Sequence, residues 1–473
     1  MNRAQARATM ADCGEEERIP HCLVLPFSLQ GHVNPMLQFS RRLRSKGLRI
    51  TFVVYKSFLK TLHDSAAASS FEFPVEPITD GFDDGVDYKS VSKEIAEHAW
   101  KTSSESLEHL LKKLRSSGAG ADCVIYDSFC YWVPYVAKAA AVTAAAFFTQ
   151  SNSVNAIYFS AHNRELKLPI SDQEIRISGG LPVMTPADLP SFVQNYPSEP
   201  LKLEIMTKQF SNVDMVDWMF VNTFYELERE VSDWMGKMTP TRPIGPTVPS
   251  AYTDGRISGD REYGLSAFKA VTDECTDWLD QNDVGSVVYV SFGSFARPES
   301  EQIGEIAAAL KRIPARFLWV VRASEESKLP RSYREETSEK GLIVRWCNQL
   351  EVLSHAAVGC FVTHCGWNST LEAICSGVPA VALPQWSDQF TNAKLVADVW
   401  GTGVRAAADG GGLVGEEEIF RCIKHVMEGA AAAEIRRRSQ KWRKAAREAV
   451  DDGGSSDKNI QEFVAALING SIN

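Results

Sequence analysis

The sequence predicts an α/β protein of two doubly wound, parallel-sheet domains that face each other across a cleft. Three observations predict it. The chain has 473 residues, more than the ~100–200 of a single domain. Short apolar runs alternate with helical patterns throughout, as in successive βαβ units. A proline-rich break at Thr239–Pro249 divides that alternation into two halves.

In the first half, Cys22–Pro26 reads as a strand, and Ser28–Pro35 as a polar loop. Met36–Ser45 is amphipathic, with Arg41, Arg42 and Arg44 on a basic face, and Arg49–Val54 is a second strand. Glu94–Arg115 predicts a long helix, Asp122–Tyr126 a buried strand, Trp132–Ala140 a helix and Thr143–Phe148 a strand. Residues 163–213 read as loops and short helices, and Asp217–Val221 as a strand. Thr239–Pro249 and the loose charged stretch to Tyr263 predict a linker.

The second half opens with a helix near Thr276–Gln281. Strands are expected at Ser286–Ser291, Phe317–Val321, Leu342–Arg345, Val358–Thr363 and Ala380–Leu383. Helices are expected at Glu299–Leu310, Ser369–Ser376, Asp388–Trp400, Glu416–Met427 and Ala433–Val450. The expected bounds are a disordered tail over 1–18, a first domain over 19–248, a linker over 249–263 and a second domain over 264–455.

Composition narrows the function. Lys and Arg number 50 against 60 Asp and Glu, a net charge of −10, which argues against a nucleic-acid binder. It leaves room for a small anion at a helix N-terminus. Ten cysteines without a C-x-x-C pair suggest buried thiols in a reducing compartment, and Cys360, His364 and Cys365 are spaced poorly for a metal. The longest apolar run, Ala139–Thr149, is too short for a membrane span. Residues 1–18 are polar and lack an apolar signal core. A cytoplasmic protein without membrane insertion is expected.

Two loops at strand ends carry the chemistry. Thr363–Thr370 follows an apolar strand and opens a helix. Gly366 permits a tight turn, and the helix N-terminus offers free N–H groups to a phosphate, with His364 a further donor. The same residues also read as a capped helix over a packed Trp367. Ser291–Ser294 ends another strand, where Gly293 admits a phosphate and Ser294 supplies a hydroxyl. Neither a P-loop nor a G-x-G-x-x-G fingerprint is present.

Both loops belong with the run from Trp346 to Gln389, which includes Gln349, His364, Gly366, Trp367, Asn368, Ser369, Glu372, Pro384 and Asp388 in register. This run resembles, without a gap, the signature box of plant family 1 UDP-sugar glycosyltransferases. Gln30–Pro35, Val221–Glu228, Ile244–Ser250 and Gly453–Lys458 agree with the family too. The last two look most like the subgroup acting on small carboxylic acids, phenols and terpenoid alcohols. The resemblance implies a GT-B fold with two Rossmann-like domains. It also implies a C-terminal segment, 456–473, whose helix packs back on the first domain.

It further implies roles for single residues. Trp346 would stack on uracil, the Cys347 backbone would read the base edge, and Gln349 and Glu372 would hold the ribose. Ser294, His364, Asn368 and Ser369 would hold the diphosphate. Asp388 and Gln389 would bind the sugar, with Trp367 nearby and Thr149 and Gln150 touching it; Gln389 favours UDP-glucose. His32, placed in the loop after the first strand, would be the general base. An isolated histidine is usually structural, but its Gln-Gly-His context favours catalysis. Asp127 would set its tautomer, and it reads equally as a helix N-cap.

The implied reaction is inverting transfer of glucose from UDP-glucose to a hydroxyl or carboxyl of a small lipophilic acceptor, a plant metabolite, hormone or toxin. No cofactor or metal is implied, and a monomer is expected. Asp83, Asp84 and Asp87 read as a charged surface loop rather than a ligand cluster. A catalytically dead sugar-nucleotide binder would lack His32 or Asp127, and a dinucleotide oxidoreductase would carry the glycine fingerprint. Loops near Phe27–Leu29, Phe82–Tyr88, Phe129–Trp132, Ser151–Tyr158 and Pro186–Tyr196 are expected to bind the acceptor. Ser28-Leu29 and Phe390 depart from the family pattern, where Pro-Ser and Pro are more usual, and residues 1–18 have no counterpart in it.

Overall fold

The computed structural model describes residues 18–64, 72–86, 92–263 and 272–470. The expectations for the N-terminal tail up to residue 17, Asp87 and Tyr88, and the first residues after Tyr263 lie outside these.

Two parallel sheets organise the chain. The first contains β1 (His21–Leu25), β2 (Arg49–Tyr55), β3 (Val75–Ile78), β4 (Cys123–Asp127), β5 (Thr143–Phe148), β6 (Trp218–Val221) and β7 (Thr241–Pro243) in the order β3-β2-β1-β4-β5-β6-β7. The second contains β8 (Val287–Ser291), β9 (Arg316–Val320), β10 (Gly341–Val344), β11 (Val358–Thr363), β12 (Ala380–Ala382) and β13 (Gly403–Arg405) in the order β10-β9-β8-β11-β12-β13. This is the GT-B arrangement of two Rossmann-like domains.

Helices cover both faces of each sheet, so its strands are apolar at successive positions. Along β1 and β4, Leu23, Leu25, Val124 and Tyr126 enter one core and Cys22, Val24, Cys123 and Ile125 the other. In the second sheet Val288, Val290 and Val362 face one core, and Tyr289, Leu318 and Phe361 the other. The described cysteines are all buried free thiols. No helix among the described residues is long and apolar enough to cross a membrane.

In each sheet the strand order reverses between the first strand and its crossover neighbour, β1 beside β4 and β8 beside β11. Ligands of open α/β sheets bind outside the carboxyl ends of the strands at such switch points. The segments carrying His32 and Asp127 leave one switch point. Those carrying Ser294 and His364–Ser369 leave the other.

Several expectations change. The first helix runs over Gln30–Ser45, beginning well before Met36, so His32 stands in its first turn and not in a loop. Pro35 lies inside that helix. It has no N–H to give the Gly31 carbonyl, the usual reason to end a helix at such a residue. That carbonyl instead accepts from Asn368 Nδ2 at 2.8 Å, across the cleft. Ser151–Tyr158 is mostly helix: Asn152–His162 is a helix, capped by Ser151 and buried over most of its length. The proline-rich break contains β7, whose Pro243 is tolerated at a sheet edge. The charged stretch to Tyr263 is pinned, with Arg42 on Asp254 at 2.8 Å and Arg41 on Asp260 at 2.6 Å. The helix after Asp388 is α over Gln389–Lys394 and π-wound over Leu395–Val399. The last helix, Ser455–Ile468, lies on the first sheet, with Phe463 edge-on to Trp218 and Phe220 and Asn459 Nδ2 donating to the Pro243 carbonyl.

Candidate active site

His32 and Asp127 meet because β1 and β4 are neighbours. His32 Nδ1 lies 2.7 Å from Asp127 Oδ2. The carboxylate is wholly buried, and its Oδ1 accepts from the Phe129 N–H at 3.0 Å. Asp127 therefore closes a turn in its own loop and faces the imidazole, but it is not a helix N-cap: the next helix begins at Val133, with Trp132 at its N-cap. An acceptor-only carboxylate accepts a hydrogen bond from Nδ1–H and so fixes the proton there, which leaves the lone pair on Nε2. Phe27 and Phe129 flank the ring at centroid distances of 5.5 and 4.9 Å. Thr149, expected against the sugar, has its hydroxyl 3.2 Å from His32 Nδ1.

Two cavities adjoin the segment that carries His32, although His32 itself lines neither: Phe27 and Leu29 line one, and Gln30 and Gly31 the other. One, about 240 Å³, is lined by Ser294, Trp346, Cys347, Gln349, Asn368, Ser369 and Glu372, together with Gln30, Gly31 and Tyr263. Seven residues expected to hold the nucleotide thus share one space. Within it Gln349 Nε2 donates to Glu372 Oε2 at 2.6 Å and to Ser369 Oγ at 2.9 Å. Burial pushes the Glu372 carboxyl up to about 7, against the opposing hydrogen bonds from Gln349 and Tyr263. The Cys347 thiol lies 3.4 Å from the hydroxyl of Tyr289, which lines the same cavity.

His364, which is not among the residues lining this cavity, is wedged between the two glycine loops. A Cβ on Gly366 would fall 2.5 Å from its Nε2, and one on Gly293 2.9 Å from its Cε1. Gly293 also has a positive φ, of 66°. Both positions therefore require glycine for the imidazole to fit. Burial, then the nearby Arg322 charge, pushes His364 down to about 4, so it is neutral near pH 7. Its Nδ1 is buried without a hydrogen-bond partner. Cys365 next to it holds a strained left-handed φ of 59°.

The remaining expected residues line neither cavity. The Trp367 indole N–H donates to the Asn222 carbonyl at 2.6 Å and joins the two domains. Gln389 Oε1 accepts from the N–H groups of Gln385 and Trp386, each at 2.9 Å. Asp388 Oδ2 accepts from Asn392 Nδ2 at 2.7 Å. Burial pushes the Asp388 carboxyl up to about 6, partly offset by its hydrogen bonds and by His32.

The second cavity, about 570 Å³, is largely apolar. Phe27, Leu29, Phe129 and Trp132 border it, with Trp100, Ile205, Met206 and Phe192 behind and Trp386 and Phe295 across the cleft. Of the loops expected to form it, Phe27–Leu29, Phe129–Trp132, Val86 and Phe192 do so, whereas Ser151–Tyr158 does not. Leu29, the departure from the family pattern, is on its wall. Phe390, the other, lies under the Arg405 guanidinium instead.

Residues unmarked by sequence also shape the site. Arg322 donates to the carbonyls of Gly293, at 3.2 Å, and Ala296, and is paired with Glu325 at 2.8 Å, both nearly buried. Its position just past the carboxyl end of β9 was the available signal. Across the cleft Ser191 and Ser387 exchange two 2.9 Å hydrogen bonds, and Arg405 pairs with Asp188 at 2.7 Å. Among the described residues no group of three or more His, Cys, Asp or Glu is arranged to hold a metal.

The site sets a cavity lined by polar side chains beside a largely apolar one, and comparison with known proteins gives the class. A family model described as UDP-glucoronosyl and UDP-glucosyl transferase matches residues 264–434. The chain is 44% identical to Mogroside I-E synthase of Siraitia grosvenorii over 94% of its own length and 98% of that protein. UDP-glycosyltransferase 74E2 of Arabidopsis thaliana gives the same identity and coverage. The crystal structure of Os79 from O. sativa in complex with UDP is 39% identical and superposes with a TM-score of 0.87, covering 94% of this chain and 100% of that one. The chain belongs to the plant family 1 UDP-glycosyltransferases and is a glycosyltransferase.

Proposed function

We propose that the protein transfers glucose from UDP-glucose, with inversion, to a hydroxyl group of a bulky, lipophilic, multi-ring acceptor. The His32–Asp127 pair, whose chain neighbours Leu29, Gly31 and Phe129 line an apolar and a polar cavity, carries the reading. In it, Trp346 stacks on uracil, Gln349 and Glu372 hold the ribose, and Ser294, Asn368, Ser369 and the neutral His364 donate to the diphosphate. Asp388 and Gln389 hold the glucose. His32 Nε2 takes the acceptor proton as its oxygen attacks the anomeric carbon. The bond to UDP breaks on the opposite face, so an α-linked donor gives a β-glucoside. Asp127 balances the imidazolium, and the N-terminus of the helix Trp367–Ser376 balances the departing diphosphate. These are hydroxyl, amide and imidazole donors, so the reading requires no divalent metal.

The acceptor class follows from size and charge. A cavity of ~150 Å³ holds one benzene ring, so 570 Å³ accommodates roughly three to four rings. An ionised acceptor at His32 would face the carboxyls of Asp127 and Asp388, which favours a neutral alcohol. The wall's charged groups balance: Lys202, which pairs with Glu199, and Arg297 stand against Asp80 and Glu299. Supporting this, a structure of Os79, 38% identical with a TM-score of 0.85, holds a trichothecene. The test is NMR of the product from UDP-glucose and a panel of three- and four-ring alcohols. A β-configured anomeric signal is expected. An α-glucoside would overturn the inverting mechanism, and turnover only of single-ring acids would overturn the acceptor class.

A further inference from the structure

The ribose end of the donor cavity holds a residue that neither the signature run nor the expected site includes. Tyr263 lines the cavity beside Gln349 and Glu372. Its hydroxyl donates to Glu372 Oε1 at 2.8 Å, while Gln349 takes Oε2 at 2.6 Å. Burial, reinforced by the Glu372 charge, pushes the Tyr263 phenol well above its usual range. It therefore stays protonated and acts as a donor. A carboxylate offers about four acceptor positions, so one hydrogen bond to each oxygen leaves capacity for a vicinal diol.

The backbone that presents Tyr263 is held from the other domain. Gln38 Nε2 donates to the Glu262 carbonyl at 3.2 Å. Arg41 donates to that carbonyl and to Asp260 Oδ1, the latter at 2.6 Å, and its Nη2 lies 3.5 Å from the Tyr263 carbonyl. Gln38 and Arg41 lie on the helix Gln30–Ser45, whose first turn carries His32. One helix thus places both the base and the tyrosine.

We propose that Tyr263 is a positioning residue of the donor site, which aims the Glu372 carboxylate at the ribose diol and ties that aim to the helix bearing His32. This rests on the donor reading above, in which Glu372 receives the ribose. A residue that merely packs would weaken all ligands alike. One that aims the carboxylate would affect only ligands that have the diol.

The experiment titrates the full chain with UDP and with 2′,3′-dideoxy-UDP by calorimetry, for the unaltered protein, Tyr263→Phe and Trp346→Ala. The unaltered protein is expected to prefer UDP by roughly tenfold or more, as for hydrogen bonds to a charged group. Tyr263→Phe keeps the ring and is expected to lower that ratio several-fold, mostly through weaker UDP binding. An unchanged ratio in Tyr263→Phe would overturn the proposal. Failure of the donor reading is separate: UDP would then bind Trp346→Ala as well as the unaltered protein, or the unaltered protein would not distinguish the two ligands.

Discussion

Replacing Asp127 by asparagine tests the base most sharply because the change is nearly isosteric. In Asp127→Asn the amide oxygen can still accept from the Phe129 N–H, 3.0 Å from the carboxylate in the unaltered protein, so the loop keeps its turn. The group facing His32 Nδ1, at 2.7 Å, becomes an amide that can donate. The imidazole then accepts at Nδ1 and carries its proton on Nε2, where it cannot act as a base. The lost charge-assisted hydrogen bond is worth about 1.5–3 kcal/mol, and each 1.36 kcal/mol is tenfold in rate. Adding the wrong tautomer, kcat for an alcohol acceptor should fall about 10²–10³-fold, within the range of general-base catalysis. The assay is UDP release at saturating UDP-glucose, alongside UDP affinity, which should hold because Asp127 does not line the donor cavity. A carboxylic acid on the same ring skeleton, ionised near pH 7, should lose less than about tenfold. Equal losses for alcohol and acid, or an unchanged kcat, would refute the base assignment.

Other outcomes follow from the same geometry. Trp346→Ala should weaken UDP binding by about 1–3 kcal/mol, the scale of base–aromatic stacking; unchanged affinity by calorimetry would contradict the stacking role. EDTA should leave UDP release from UDP-glucose unchanged, and loss restored by a divalent cation would contradict the metal-free site. Glu372 has a folded value raised from 4.5 to about 7. The stabilisation it contributes is therefore complete below about 4.5 and is lost as pH rises through about 7. Relative to Glu372→Gln, the unaltered protein should lose up to about 3 kcal/mol across that window. Denaturant midpoints at about pH 4.5 and about pH 8 measure this, and a pH-independent difference would contradict it.

Much of the fold was legible because strands buried on both faces read as unbroken apolar runs, as at Cys22–Leu25 and Val358–Thr363. Their order needed only the alternation with helices. What escaped were elements whose local signals oppose their structure. Pro35 and Gly31 argue for a loop, yet the helix runs through them because Asn368 satisfies the carbonyl that Pro35 frees. Thr241–Pro243 is hidden among prolines because an edge strand needs few ladder bonds. At the site, the two glycine loops at strand ends were legible from residue type and position, whereas the roles expected of the signature run came from its resemblance to a family. The partners of the site residues were not legible, since these depend on which elements become neighbours. Thr149 against His32, Asn222 against Trp367, Arg322 behind Gly293 and Tyr263 against Glu372 join positions far apart in sequence.

The most direct test of His32 as the base is His32→Ala, read for two quantities in one preparation: UDP affinity and the rate of glucose transfer from UDP-glucose to a multi-ring alcohol. UDP affinity should stay within about threefold of the unaltered protein while transfer falls by about 10²–10⁴-fold. Retained transfer would contradict the central claim that His32 is the base. Loss of UDP affinity would contradict it differently, making His32 a structural support of the donor site.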